Sequence, residues 1–110
     1  MFTKIGCPFC DNAEAYFNEL TTDPNYRGLF NLVVMEVYDE NWDLINETYL
    51  DIAQKAAKIL GDEFNGTPYI IVGETSFNGF TTDYDDEIRS EIYRCYINGC
   101  TDQIKNINKD

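Results

Sequence analysis

Two cysteines near the start of the chain are spaced for disulfide chemistry. They form the motif Cys7-Pro8-Phe9-Cys10, and the 110 residues contain no histidine. Cysteine–histidine catalysis and histidine-containing zinc sites are therefore excluded. A C-x-x-C pair can act as a redox-active dithiol, or it can supply half of a four-cysteine zinc site whose other half would be Cys95 and Cys100.

The residues of the motif favour a helix start, which would give the two sulfurs unequal roles. If a helix begins at Pro8, Cys7 is its N-cap, and proline is favoured at the first helical position. Backbone donors and the helix dipole would then stabilise the Cys7 thiolate and lower its pKa to about 3.5–7.5. Cys10, one turn inside the helix, would keep the higher pKa. We therefore predict Cys7 as the attacking thiolate, Cys10 as the resolving thiol, and Phe9 as a partly exposed apolar rim for substrate.

Apolar periodicity predicts the elements that position this motif. A short apolar start precedes a helix from about Pro8 to Leu20, and a β-branched run predicts a buried strand over 31–38. A second helix carries an apolar stripe from Ile45 to Leu60 and ends at Gly61. Two strands follow, over 69–73 and 76–80, and their short connection requires antiparallel pairing. We expect the order β-α-β-α-β-β-α.

The last predicted helix would be capped by Asp83 and end near Gly99. Its apolar stripe consists of Tyr84, Ile88, Ile92, Cys95 and Tyr96. The whole pattern predicts an α/β fold with a four-stranded mixed sheet and helices on both faces. One domain would span residues 1–100, with a polar C-terminal tail over 101–110.

The element order and two motifs together carry a resemblance to a known superfamily. C-P-F-C opens the first helix, and about sixty residues later Gly66-Thr67-Pro68-Tyr69 opens the third strand. This combination resembles the thioredoxin and glutaredoxin superfamily over nearly the whole chain. The resemblance implies a thioredoxin-like fold and thiol–disulfide oxidoreductase activity. It also implies a cis bond before Pro68, with the Thr67 backbone pairing with an extended substrate beside the nucleophile.

Positions around the motif distinguish branches of the superfamily. Thioredoxins have a tryptophan directly before the first cysteine and a buried aspartate six residues before it, where this chain has Gly6 and Met1. Glutaredoxins are closer in having a lysine three places before the nucleophile, here Lys4. By that resemblance Lys4 would bind a glutathione carboxylate and glutathione would serve as electron donor, although an ordinary charged loop residue fits equally well. A glutaredoxin Gly-Gly pair is reduced to Gly79. The longer second helix and the segment Phe77-Asn78-Gly79-Phe80 look more like bacterial thioredoxin-like domains, so the glutaredoxin-like and the bacterial thioredoxin-like branches both stay open.

Charge restricts the partners. The chain has 20 acidic and 8 basic residues and a net charge of −12, which disfavours binding to nucleic acids and anionic membranes. No apolar run approaches the ~18 residues of a membrane span. We expect a monomer without a tightly bound cofactor that acts on disulfide or dithiol proteins and peptides, with a reductase or glutathione as redox partner. Two locations stay open, the bacterial cytoplasm and a tethered extracytoplasmic domain. The short first strand suggests a longer natural chain, in which the sequence would be such a domain.

The second pair of cysteines allows two arrangements. Cys95 lies on the apolar stripe of the last helix, so we expect it to pack as a small buried hydrophobic residue. Five residues of continuous helix would separate the Cα atoms of Cys95 and Cys100 by roughly 7.5 Å, too far for easy disulfide formation. If Gly99 ends the helix and the chain turns back, a disulfide can form. Core packing is the favoured expectation.

Overall fold

The elements appear in the predicted order, with one short turn added. The computed structural model describes residues 1–100, so the predicted tail over 101–110 lies outside the described residues. The elements are β1 Phe2–Lys4, α1 Pro8–Thr22, β2 Met35–Tyr38, α2 Glu47–Ile59, β3 Tyr69–Val72, β4 Thr75–Asn78, a 3-10 turn Thr82–Tyr84 and α3 Asp85–Asn98. Within residues 1–100, no helix has both the length and the apolar character that crossing a bilayer requires.

The four strands form one mixed sheet in the order β2-β1-β3-β4. Strand β1 runs parallel to β2 and antiparallel to β3, while β3 and β4 form an antiparallel hairpin from Tyr69↔Asn78 to Val72↔Thr75. The α/β class, the mixed sheet and the hairpin are therefore confirmed. Because β1 has a neighbour on each side, the segment that follows it leaves from the interior of the sheet.

Helices cover both faces of this sheet, as predicted. Side chains alternate along a strand, so the neighbours Tyr69 and Ile70 enter different cores. The core under α1 and α3 contains Ala13, Phe17, Leu20, Ile70, Phe77, Ile88 and Ile92. The core under α2 contains Phe2, Val37, Ile52, Ala53, Ala57 and Tyr69.

Two elements of the structure are shorter than the apolar runs that predicted them. Strand β2 begins at Met35 rather than at 31, and Val33 is exposed. The reason is the partner strand, because β1 offers only three residues and its first, Phe2, lies opposite Met35. In α2, Ile59 is exposed, and Ile45 precedes the helix and is exposed as well. The helix packs instead through Ile52 and three alanines.

The start of the last helix also differs from its prediction. Asp83 is not a cap; its own N–H donates to Thr81 Oγ1 at 3.3 Å, so Thr81 caps the 3-10 turn that precedes α3. Threonine and aspartate are both common N-caps, and two of them two residues apart cannot be ranked from sequence. Tyr96 is exposed rather than on the core stripe. Gly99 follows the helix with φ of 76°, as expected for its end.

One carboxylate ties the end of α2 to the hairpin. Asp62 Oδ2 accepts hydrogen bonds from Tyr69 Oη at 3.3 Å, Ser76 Oγ at 3.0 Å and Asn78 Nδ2 at 2.9 Å. Its Oδ1 accepts from the Glu63 N–H at 2.8 Å. The Glu63 bond, followed by the side-chain donors, holds the pKa of Asp62 below its usual range despite partial burial.

We expect Asp62→Asn to destabilise the protein by about 1 kcal/mol at neutral pH, because an amide cannot accept all four bonds. A lowered folded-state pKa adds stability above the unfolded-state pKa, and that contribution disappears as pH falls through the folded-state value. The difference between variant and wild type should therefore shrink in acid. Urea unfolding from neutral pH into the acid range measures it. Asp51→Asn, which removes an exposed pair with Lys55, is the control and should change little; a constant difference at every pH would contradict the linkage.

Candidate active site

The N-terminus of α1 positions both sulfurs of the C-x-x-C motif. Cys7 is the N-cap, with φ of −92° and ψ of 110°, and Pro8 opens the helix. The Cys10 N–H donates to Cys7 Sγ at 3.1 Å, and the Asp11 N–H donates to the Cys7 carbonyl at 3.0 Å. Cys7 and Cys10 form a disulfide with their Cα atoms 5.1 Å apart. The helix start is therefore where the sequence predicts it.

Solvent exposure differs along the motif. Cys10 is 2% exposed and Cys7 is 8% exposed, so Cys7 is the more accessible member of the pair. Phe9 is 61% exposed, consistent with the predicted apolar rim. It also lines a shallow groove along α1 whose other walls include Asn12, Tyr16 and Phe80. Phe9 is therefore far more exposed than either cysteine of the motif.

A distant segment supplies the other side of the Cys7 sulfur. The Thr67–Pro68 bond is cis, the isomer that the resemblance implies, and Pro68 is fully buried. The Thr67 carbonyl oxygen lies 3.9 Å from Cys7 Sγ, and Thr67 Oγ1 lies 3.7 Å from the same atom. The structure thus brings together two residues that are sixty positions apart in the chain.

Lys4 lies near the motif but already has partners. Its Nζ donates to the Ile5 carbonyl at 3.2 Å and lies 5.0 Å from the centroid of the Trp42 ring. A cation over an indole face at this distance is attracted by the ring. A carboxylate that bound Lys4 would have to compete with, or stack beside, Trp42.

Sequence reasoning did not single out Trp42. It lies on the loop after β2 in the left-handed region, with φ of 67°, and packs against Tyr38 with ring centroids 5.5 Å apart. Asp39 Oδ1 holds this loop by accepting from the N–H groups of Asn41 and Asp43, both at 2.9 Å. The sequence signal that could have predicted this turn is Asp39 directly after the strand, since aspartate side chains often accept a hydrogen bond from the backbone two residues further on.

The two departures from thioredoxins have structural counterparts. Gly6, at the tryptophan position, has φ of 75°, which L side chains rarely adopt, and an added Cβ would lie 3.4 Å from Glu40 Cβ. Met1, at the aspartate position, packs against the core under α1 and α3. No carboxylate therefore occupies that place to take a proton from Cys10.

The second cysteine pair corrects the expectation of simple core packing. Cys95 and Cys100 form a disulfide with Cα atoms 4.9 Å apart, because the chain turns at Gly99, whose N–H donates to the Cys95 carbonyl at 2.8 Å. An added Cβ at Gly73 would overlap the Cys95 sulfur. Gly73 follows β3 whereas Thr67 precedes it, so about six extended residues, roughly 20 Å, separate the two pairs. The four cysteines therefore cannot form one tetrahedral zinc site.

Cys7, Cys10 and Thr67 converge where the interior strand of the sheet meets the first helix. Phe9 rims this site, and Lys4 lies at the end of β1 against Trp42. The arrangement has the less buried Cys7 sulfur, the more buried Cys10 sulfur bonded to it and a backbone carbonyl beside Cys7. Comparison with protein-family models, with curated proteins and with solved structures gave no match to this chain.

Proposed function

We propose that this chain is a thiol–disulfide oxidoreductase with a thioredoxin-like fold, in which Cys7 and Cys10 alternate between dithiol and disulfide. The observation that carries the proposal is the surroundings of Cys7 Sγ, which has the Cys10 N–H at 3.1 Å and Thr67 oxygens at 3.7 and 3.9 Å. The interior position of β1, from whose end the motif follows, is consistent with such a fold.

The asymmetry between the two cysteines gives the order of the steps. In the reduced protein, donors at the helix N-terminus stabilise the Cys7 thiolate. Cys7 attacks a substrate disulfide, forms a mixed disulfide and releases the first substrate thiolate. Cys10 then loses its proton and attacks Cys7 Sγ, which releases the second substrate thiolate. Two electrons pass to the substrate, its two thiolates take up two protons, and the Cys7–Cys10 disulfide remains; the reverse sequence oxidises a dithiol.

The substrate class follows from the groups around the sulfur. The Thr67 carbonyl beside Cys7 can accept a backbone N–H from an extended peptide, and exposed Phe9 offers an apolar contact. We therefore propose protein or peptide disulfides as substrates. Glutathione is retained as a proposed electron donor, with its carboxylate near Lys4 and Trp42.

A redox-inert interaction or zinc module is the competing function. The distance between the two cysteine pairs excludes a zinc site made of all four cysteines. Within residues 1–100, the one group of three or more metal-ligating side chains in the structure is Glu91, Cys95 and Cys100. Neither Cys7 nor Cys10 belongs to it, and this favours the redox proposal.

Trapping the intermediate tests the proposal. With Cys10 replaced by serine, the mixed disulfide at Cys7 cannot be resolved. We therefore expect the reduced variant to form a covalent adduct with a peptide that contains a disulfide. The adduct should appear in non-reducing gels and intact mass spectra, disappear with dithiothreitol, and map to Cys7. Cys7→Ser is the matched control and should trap nothing at this site. An adduct yield that was equal in both variants would contradict the assignment.

A further inference from the structure

The Cys95–Cys100 pair lies between two groups of opposite charge. Glu91 Oε1 lies 3.6 Å from Cys95 Sγ, and Arg94 Nη2 lies 3.4 Å from Cys100 Sγ. Arg94 also pairs with Glu91 through contacts of 2.9 and 2.6 Å. Each sulfur therefore faces a different partner.

These partners favour different states of the two sulfurs. A guanidinium beside Cys100 stabilises its thiolate, since a nearby positive charge favours the anionic form. The Glu91 side chain is 11% exposed, and its pKa is lowered mainly by the bond from Arg94 and also by the Glu74 N–H at 3.4 Å. An ionised carboxylate disfavours a thiolate at Cys95, and a carboxylate with a lowered pKa is a poor proton acceptor, so Cys95 stays a thiol while Cys100 ionises.

Access to the two sulfurs is unequal as well. Cys95 Sγ packs so closely on Gly73 that an added Cβ there would overlap it. Cys100 instead forms part of the wall of a cavity of about 330 Å³, whose mainly apolar lining includes Val33, Met35 and Val72. Cys100 Sγ would also lie 3.2 Å from the same added Cβ, and both cysteines are partly exposed, so the cavity is the feature that favours approach to Cys100.

We propose that Cys95 and Cys100 form a second thiol–disulfide couple, with Cys100 as the exchanging sulfur and Cys95 as the resolving one. The Cys100 thiolate attacks a low-molecular-weight disulfide, forms a mixed disulfide and releases one thiolate. Cys95 then loses its proton to solvent and attacks Cys100 Sγ, so the second thiolate leaves. The partner disulfide gains two electrons, its thiolates take up two protons, and the Cys95–Cys100 disulfide forms. A dithiol reductant reverses these steps.

A metal site is the other chemistry that these residues suggest. Glu91, Cys95 and Cys100 offer ligand atoms within 4.8 Å of one another. However, the Arg94 guanidinium contacts both the Glu91 carboxylate and Cys100 Sγ, and its positive charge opposes a bound cation there. The geometry favours thiol exchange over metal binding.

Competitive alkylation tests the proposed asymmetry. The full-length Cys7→Ser/Cys10→Ser variant leaves only the second pair to react. After reduction, brief treatment with limiting iodoacetamide and peptide mass mapping should show Cys100 reacting about tenfold faster than Cys95. Adding Arg94→Gln should lower the Cys100 rate by about tenfold, and Arg94→Lys should retain most of it. An unchanged Cys100 rate in Arg94→Gln would show that Arg94 does not activate this sulfur and would contradict the proposal.

The resolving step has its own measurement. From the mixed disulfide of Cys100 with glutathione, ring closure by Cys95 should speed up several-fold in Glu91→Gln at neutral pH and change less in Glu91→Asp, because removing the carboxylate charge favours the Cys95 thiolate. Equal alkylation of both cysteines, or a pair that native protein keeps oxidised in millimolar dithiothreitol, would overturn the proposal. Stoichiometric Zn²⁺ that protected both cysteines from alkylation would overturn it in favour of a metal site.

Discussion

Replacing Cys7 by serine is expected to lower the rate of disulfide reduction by on the order of a thousandfold or more, to the level of uncatalysed exchange. A hydroxyl is not ionised at neutral pH, and an oxygen in this place cannot form the mixed disulfide. Serine is itself a favoured N-cap, so the start of α1 should stay intact. Turnover of a peptide disulfide by dithiothreitol-reduced protein measures the effect, with circular dichroism to confirm folding.

The chain supplies its own control for this prediction. The Cys95→Ser/Cys100→Ser variant removes the other two cysteine sulfurs, which lie roughly 20 Å away, and should retain the turnover that depends on Cys7. Retained turnover in Cys7→Ser would refute Cys7 as the nucleophile. Loss of turnover in the control with an intact fold would show that the second pair takes part in the same reaction.

The surroundings of Lys4 bear on the electron donor. The resemblance to glutaredoxins implies that this cation binds glutathione, but the structure turns it toward the Trp42 ring and the Ile5 carbonyl. An acidic protein gains little by presenting one shared cation to an anionic tripeptide. Peptide substrates that use the Thr67 carbonyl and the Phe9 ring do not depend on that cation.

The parts of the fold that the sequence predicts correctly have local causes. Pro8 after Cys7 marks a helix start through its fixed φ and missing N–H, and Gly61 and Gly99 mark helix ends. The order of elements then follows from periodicity, and the resemblance to the thioredoxin and glutaredoxin superfamily implies that Thr67 lies beside Cys7. These features can be predicted because they depend only on neighbouring residues in the chain or on a known arrangement of strands.

The features that sequence reasoning missed depend on distant partners. The length of β2 is set by how few residues β1 offers for pairing. The position of Trp42 requires the Asp39 carboxylate to hold the loop in a left-handed turn. The Cys95–Cys100 disulfide requires the direction of the turn at Gly99, which a glycine permits but does not specify.

Gly6→Ala is the other substitution with a large expected effect. Its control, Gly28→Ala, separates the effect of lost stability from the effect of a displaced Cys7. Gly6 precedes Cys7, the proposed nucleophile, with φ of 75°, and Gly28 has φ of 82° with no atom within 4 Å of an added Cβ. Both alanines should cost about 1–2 kcal/mol of stability for the left-handed backbone. At Gly6 the added Cβ would lie in ordinary van der Waals contact with Glu40 Cβ at 3.4 Å, so the two alanines differ chiefly in that Gly6 adjoins Cys7, where relief of the backbone strain can displace the sulfur.

We therefore expect Gly6→Ala to lower kcat/KM for peptide disulfides by about tenfold to a hundredfold, because a displacement of about 1 Å at a nucleophile has effects of that size. Gly28→Ala should lose similar stability and keep its activity. Urea unfolding and steady-state kinetics of both variants measure the two quantities. Equal activity in both variants would mean that the backbone at Gly6 does not position Cys7. Loss of activity in Gly6→Ala but not in Gly28→Ala would explain why a glycine stands where thioredoxins have tryptophan. The loop would then position Cys7 through a residue in the left-handed conformation, which a tryptophan could adopt only with strain.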